Sequence, residues 1–184
     1  MTSRTLWTIG HSTRPIDELI TLLKEHRIQQ LVDVRTIPRS RHNPQFNMES
    51  LAKSLKKAKV IYVHMPQLGG LRKAKKDSMN AGWKNASFRG YADYMQTEEF
   101  RTALEKLMAD GTGMKTAIMC AEAVPWRCHR SLIADALTVK EWTVWHIMSK
   151  AKADEHRVTS FAAITRDGIT YPAPIDPEAP LRLF

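Results

Sequence analysis

Short apolar runs alternate with stretches of helical spacing along most of the chain, and that alternation restricts the fold more than any other feature. The runs are Leu6-Trp7-Thr8-Ile9, Leu31-Val32-Asp33-Val34, Val60-Ile61-Tyr62-Val63, Thr116-Ala117-Ile118-Met119 and Trp142 to Ile147. Each is short for a helix and apolar enough for a strand buried on both faces. Ile16, Leu19, Ile20, Leu22 and Leu23 form one apolar helical face, with Ser12 or Thr13 as its cap and Pro15 near its first turn. Asn47 is placed to cap a helix through about Ala58, with Leu51 and Leu55 on one side. Tyr91 to Met108 reads as a helix with Thr97 as an internal cap and Asp110-Gly111 as its end, and Cys128 to about Val139 reads as another. Alternation of this kind predicts an α/β fold: a mainly parallel open sheet flanked by helices, in a single domain.

The pattern changes after residue 150. Phe161 to Thr165 and Ile169 to Tyr171 flank Arg166-Asp167-Gly168 and read as a small β-hairpin. The tail YPAPIDPEAPLRLF holds four prolines and reads as extended. The expected organisation is an α/β domain over 1–150, with a hairpin and Pro-rich tail over 151–184 packed on that same domain.

A chain of 184 residues is long enough to bury a core. It has no run near the ~18 apolar residues of a membrane span, and MTSRTLWTIGHS lacks an apolar signal core. These features point to the cytoplasm, where the two cysteines are expected as free thiols. The net charge of +9 is uneven: residues 35–90 hold 13 Lys+Arg against 2 Asp+Glu, leaving 15 against 17 elsewhere (28 − 13 and 19 − 2). One stretch thus carries the whole basic excess. That suggests an anionic small molecule or a nucleic acid as partner, although a solvated Lys-rich face has the same composition. Phe46, Trp83, Phe88 and Tyr91 lie near it, suited either to stacking on bases or to core packing.

The chemically capable residues follow strands or end them. Gly10-His11-Ser12 follows the first, Asp33 ends the second ahead of Arg35, and Cys120-Ala121-Glu122 follows the fourth. Open parallel sheets bind ligands at the carboxyl ends of their strands, so His11, Asp33, Arg35, Glu122 and Cys128 are expected to line one pocket. The stretch CAEAVPWRCHR, residues 120–130, holds both cysteines. A helix beginning near Cys128 would favour an anion at its start, Arg127 and Arg130 add positive charge, and the same field favours a Cys128 thiolate. Cys120 reads as a buried packing residue, while for Cys128 packing and reactivity are equally open. Asp33 and Glu122 suit acid or base work if desolvated, yet Asp33 suits a structural pair with Arg35 as well. Cys120, Cys128, His129 and His11 are donor types that zinc accepts. The wide cysteine spacing and the difficulty of bringing adjacent Cys and His to one ion weigh against it, so no metal or other cofactor is expected. Gly111 to Thr116 lacks the glycine before its lysine and precedes a strand, which excludes a phosphate loop.

Five of these pieces occur together in a known family. Thr8-Ile9-Gly10-His11-Ser12, Leu31-Val32-Asp33-Val34-Arg35 with Pro38 and Ser40, Leu68-Gly69-Gly70, Cys120-Ala121-Glu122 and Cys128-His129-Arg130 resemble, in that order, the family catalogued as domain of unknown function 488. The resemblance spans about 1–150 and implies an enzyme without naming its reaction. Two functions remain open. One is an enzyme acting on a nucleotide, nucleobase or nucleic acid, with Cys128, Glu122, His11 and Asp33 as catalytic candidates. Its binding candidates are Ser12, Arg35, Gly69, Gly70, Arg127, His129 and Arg130. The other is a non-catalytic nucleic-acid-binding module in which the polar residues are structural.

Overall fold

A computed structural model describes residues 4–165 and 168–174. The five anticipated strands form within a residue or so of their expected limits: β1 (Thr5–Gly10), β2 (Gln30–Asp33), β3 (Ile61–His64), β4 (Thr116–Cys120) and β5 (Thr143–Ile147). They pair in parallel, and a short strand the sequence reading missed, β6 (Ala153–Glu155), joins β5 in antiparallel fashion. The sheet order is β3-β2-β4-β1-β5-β6. The protein is therefore an α/β domain with a mostly parallel sheet. A separate antiparallel hairpin pairs β7 (Ala163–Thr165) with β8 (Gly168–Thr170). The expected turn residues Arg166 and Asp167, and most of the Pro-rich tail, lie outside the described residues.

Side chains of successive strand residues point to opposite faces. Ala117 and Met119 of β4 join the cluster built on Leu19, Leu23, Leu51 and Leu55, which belong to α1 (Ile16–Glu25) and α2 (Met48–Lys57). Ile118 and Cys120 face the other way, toward α3 (Ala86–Tyr94), α4 (Glu98–Gly113) and α5 (Arg130–Val139). Helices thus cover both faces, which accounts for the lack of polar alternation in these strands.

Several helix limits depart from expectation. Neither Ser12 nor Thr13 caps α1, which starts at Ile16 behind Pro15. Ser12 adopts φ 50° and donates its N–H to the Ala121 carbonyl, so the sheet-edge loop uses it first. Asn47 precedes α2 without a side-chain cap, its amide oxygen accepting from the Ser40 N–H. The expected 91–108 helix is two helices, broken where Thr97 caps α4 by accepting from the Phe100 N–H. Gly111 does not end α4; a Cβ there would lie 3.0 Å from Leu6 Cδ2, so this glycine serves a close helix–sheet approach. The last helix starts at Arg130, two residues beyond Cys128. The Lys-rich stretch before α3 is held by buried Asp93, which accepts from the Lys75 N–H, the Ser78 hydroxyl and the Asn80 amide.

Candidate thiol site at the sheet edge

Sheet order gathers the polar residues. β4 lies between β2 and β1, with Gly10 opposite Cys120 and Asp33 opposite Met119. The loops leaving these three strands therefore meet. His11 and Ser12 donate their N–H groups to the carbonyls of Cys120 and Ala121 at 3.0 and 2.8 Å. The loop after β4 crosses so close to β1 that a Cβ on Gly10 would lie 1.8 Å from the Glu122 carbonyl oxygen. Only glycine fits there. Where these loops meet there is a cavity of about 710 Å³, lined among others by His11, Ser12, Arg35, Gly70, Cys120, Glu122, Arg127, Cys128 and His129.

Asp33, Gly69 and Arg130, also anticipated at this site, do not line the cavity. Asp33 is wholly buried behind it and grips Arg35 through Oδ1–Nε at 2.8 Å and Oδ2–NH2 at 2.6 Å, with the Tyr62 hydroxyl donating to Oδ2. A two-point grip of this kind fixes the guanidinium in direction as well as place. Arg35 NH2 also donates to the Phe46 carbonyl, and NH1 to His11 Nε2 at 3.1 Å. A guanidinium only donates, so His11 Nε2 accepts and its Nδ1–H bonds the Ser12 carbonyl at 2.8 Å. His11 is also stacked on Phe46, with ring centroids 4.2 Å apart. Burial first, and then the Arg35 charge, lower its pKa to about 4, so the ring is neutral near pH 7. Its basic nitrogen is already engaged, which makes His11 a prop for Arg35.

Arg130 is 1 % exposed and lies beneath the cavity. Its Nε donates to Cys128 Sγ at 3.4 Å, NH1 to Thr8 Oγ1 at 3.3 Å and NH2 to the Glu122 carbonyl at 2.5 Å. From Thr8 a hydrogen-bonded file, unforeseen in the sequence, crosses to the far side of α5. Thr8 Oγ1 meets His146 Nδ1 at 2.8 Å, His146 Nε2 meets His156 Nδ1 at 3.0 Å, and His156 Nε2 meets Asp135 at 2.8 Å. Asp135 also accepts from the Thr159 N–H and hydroxyl and from the Tyr171 hydroxyl. Because Thr8 Oγ1 accepts from Arg130, its hydroxyl hydrogen is free to donate to His146, and the same sense of donation continues through His156 to Asp135. Burial, followed by the neighbouring His156 and Arg130, lowers the His146 pKa to about 4.

The two cysteines and His129 form a cluster. His129 Nδ1 is 3.7 Å from Cys128 Sγ and 3.9 Å from Cys120 Sγ, and the three atoms all lie within 4.8 Å of one another. Cys128 and His129 are neighbours in sequence, yet both reach this point because the backbone changes from extended at Cys128 (φ −140°, ψ 144°) to helical at His129 (φ −56°, ψ −12°). Gly70 lies over the imidazole, where a Cβ would approach Nδ1 to 2.5 Å. The Cys128 thiol is held well below its ordinary pKa by hydrogen bonding from Cys120, then His129, with Arg130 adding charge. The Cys120 pKa is pushed up by the same contact and by burial. Two thiolates and an imidazole are a donor set for zinc with one position open. Against that use, His129 Nε2 is buried with no hydrogen-bond partner among the described residues, whereas a ligating histidine usually donates its other N–H. The expected aromatic stackers mostly serve the core: Phe46 and Tyr91 are fully buried, and Trp83 packs with Phe88, Phe161 and Tyr171.

Among the described residues no helix is long and apolar enough to cross a membrane. No curated protein and no solved structure matches the chain. A family model described as Domain of unknown function DUF488 matches residues 15–137, a span that takes in Asp33, Arg35, both cysteines and Arg130 and begins just after the His11-Ser12 loop. With the thiol cluster and its arginine props inside the matched span, the chain belongs to the DUF488 family.

Proposed function

We propose that the protein is an enzyme acting on a nucleotide, nucleobase or nucleic acid, with Cys128 as nucleophile. One observation carries this reading. Cys128 lines a cavity large enough for a nucleotide, and its sulfur receives the Arg130 Nε–H from below beside the His129 imidazole. A thiolate is the reactive form of cysteine, and nearby cationic donors favour it. The lining charges suit an anionic substrate, with Arg35, Arg39 and Arg127 against a single acidic residue, Glu122. Arg127 and Arg39 are exposed and free to move onto a phosphate. Of the five N–H donors of Arg35, protein acceptors take four, leaving one on NH1 for substrate. Glu122, exposed at the rim, takes the acid/base role. In this reading Asp33, His11 and Arg130 are positioning residues.

The test is incubation with nucleoside mono-, di- and triphosphates and short single-stranded RNA and DNA, read by chromatography and mass spectrometry. Product formed by the wild type and abolished by Cys128→Ser is the expected result. The non-catalytic alternative gives binding without product, unaffected by that substitution. Replacing exposed Lys73, Lys75 and Lys76 together with glutamine separates the two further. Turnover of mononucleotides is expected to survive. Polynucleotide affinity should become less salt-dependent, its log–log slope falling by up to about 0.7 for each lysine that neutralises a phosphate of a single strand.

A further inference from the structure

Cys120 packs in the core as expected, and it also lines the same cavity as Cys128 and shares His129 with it. We propose that Cys120 and Cys128 are a redox dithiol, in which Cys128 attacks a small anionic disulfide and Cys120 resolves the product into an intramolecular Cys120–Cys128 bond. The proposal rests on Cys128 being the attacking thiolate, and it adds an activity that needs no nucleotide.

The geometry gives each residue a part. In the first step the Cys128 thiolate bonds to one sulfur of R–S–S–R, the S–S bond breaks, and R–S⁻ leaves. In the second, Cys120 Sγ bonds to Cys128 Sγ and expels the other R–S⁻, which carries away the Cys120 proton. The substrate gains two electrons and the protein dithiol loses them. The two sulfurs need only approach from within 4.8 Å to the ~2.05 Å of a disulfide. His129 Nδ1 lies within 3.9 Å of both sulfurs, in reach of the proton that Cys120 gives up. Gly70 presents only hydrogen to the imidazole, and the cavity that both cysteines line supplies the room for a third sulfur. The electronic division also fits: Cys128, beside Arg130, is the thiolate, and Cys120 stays protonated until Cys128 is capped. Arg39 and Arg127 at the cavity favour a disulfide that carries carboxylates.

The experiment treats the reduced full-length protein with oxidised glutathione, blocks remaining thiols with iodoacetamide and digests with trypsin. Cleavage after Arg127 separates the cysteines, so a Cys120–Cys128 bond appears as a linked pair of peptides. The wild type is expected to yield that pair with two glutathiones released per chain. Cys120→Ser, and in parallel Cys120→Ala, should stop at a stable glutathione adduct on Cys128, and Cys128→Ser should not react. A wild type that keeps the adduct without closing overturns the proposal and leaves the nucleophile reading of Cys128 intact. An unreactive Cys128 overturns both. Stoichiometric zinc in the untreated protein also overturns it, by showing the cluster to be a metal site.

Discussion

Arg130 carries a full charge in a place with almost no solvent, and its three nitrogens each meet a different part of the site: the Cys128 sulfur, the β1 hydroxyl of Thr8 and the carbonyl of Glu122. Replacing it with methionine keeps most of the volume and removes every donor. The stranded acceptors should cost roughly 1–3 kcal/mol each, read as a lower urea midpoint. The chemical effect separates from the structural one. The pH at which Cys128 is half-alkylated by iodoacetamide should rise in Arg130→Met, while Arg130→Lys, which keeps the charge, should recover part of that shift. An unchanged alkylation profile in a folded Arg130→Met would show that Arg130 is only a packing element. The sequence reading named Arg130 for its charge but assigned it to substrate. What it could not see is that α5 begins two residues later than its spacing suggested. That delay turns Arg130 inward and leaves Arg127 at the cavity.

At the scale of elements, the strands were the most legible part. Five apolar runs gave five parallel strands, because a strand covered by helices on both faces needs to be apolar throughout. Helix ends were less legible, since loop contacts decide them: Ser12 bonds across the sheet edge instead of capping α1, and Gly111 packs on Leu6 instead of stopping α4. Of the anticipated caps, Thr97 behaves as its residue type suggests, accepting from the Phe100 N–H while its hydroxyl donates to the Tyr94 carbonyl. Thr97→Ala is expected to destabilise the protein by about 1 kcal/mol, lowering the thermal midpoint by roughly 2–4 °C in a chain of this size. Thr97→Ser should recover most of the loss. A melt unchanged within a degree in Thr97→Ala would show that the break between α3 and α4 is fixed by packing alone. The meeting of His11, Arg35, Glu122 and Cys128 was legible in part: parallel strands end at one edge of the sheet, although the order that sets β4 between β1 and β2 could not be read from the sequence. Asp33 was misplaced because it is the last residue inside its strand and is wholly buried against Arg35 and Tyr62. The Thr8–His146–His156–Asp135 file joins β1, β5, the segment after β6 and α5, and no local pattern links four such distant positions.

For the whole molecule, two buried imidazoles set a pH dependence. An unfolded histidine takes its proton near 6.5, whereas His11 and His146 in the fold hold off until about 4. Between those values the unfolded chain binds more protons, so stability rises with pH across the window. It is fully present above 6.5 and is lost as pH falls toward 4. Urea midpoints measured between pH 7 and 4 should therefore decline, and His146→Gln should decline less steeply than the wild type. A wild-type midpoint that stays level across this range would mean that these rings accept protons without disturbing the fold.

The far end of the Arg130 file imposes an order in time. Asp135 is completed by Thr159 and by the hydroxyl of Tyr171, whose backbone N–H also bonds the Asn80 amide oxygen and whose carbonyl receives the Gly82 N–H. Tyr171 is itself wholly enclosed. A growing polypeptide that has released every strand of the parallel sheet still lacks the side chain that closes this network. Until residue 171 leaves the ribosome, the nascent chain carries a carboxylate with part of its partners missing and a vacancy beside Trp83. A chain halted near residue 160 should accordingly depend on chaperones and be cleared by proteases. The network behind the thiol site is thus finished only when Tyr171, just past the hairpin, has been made.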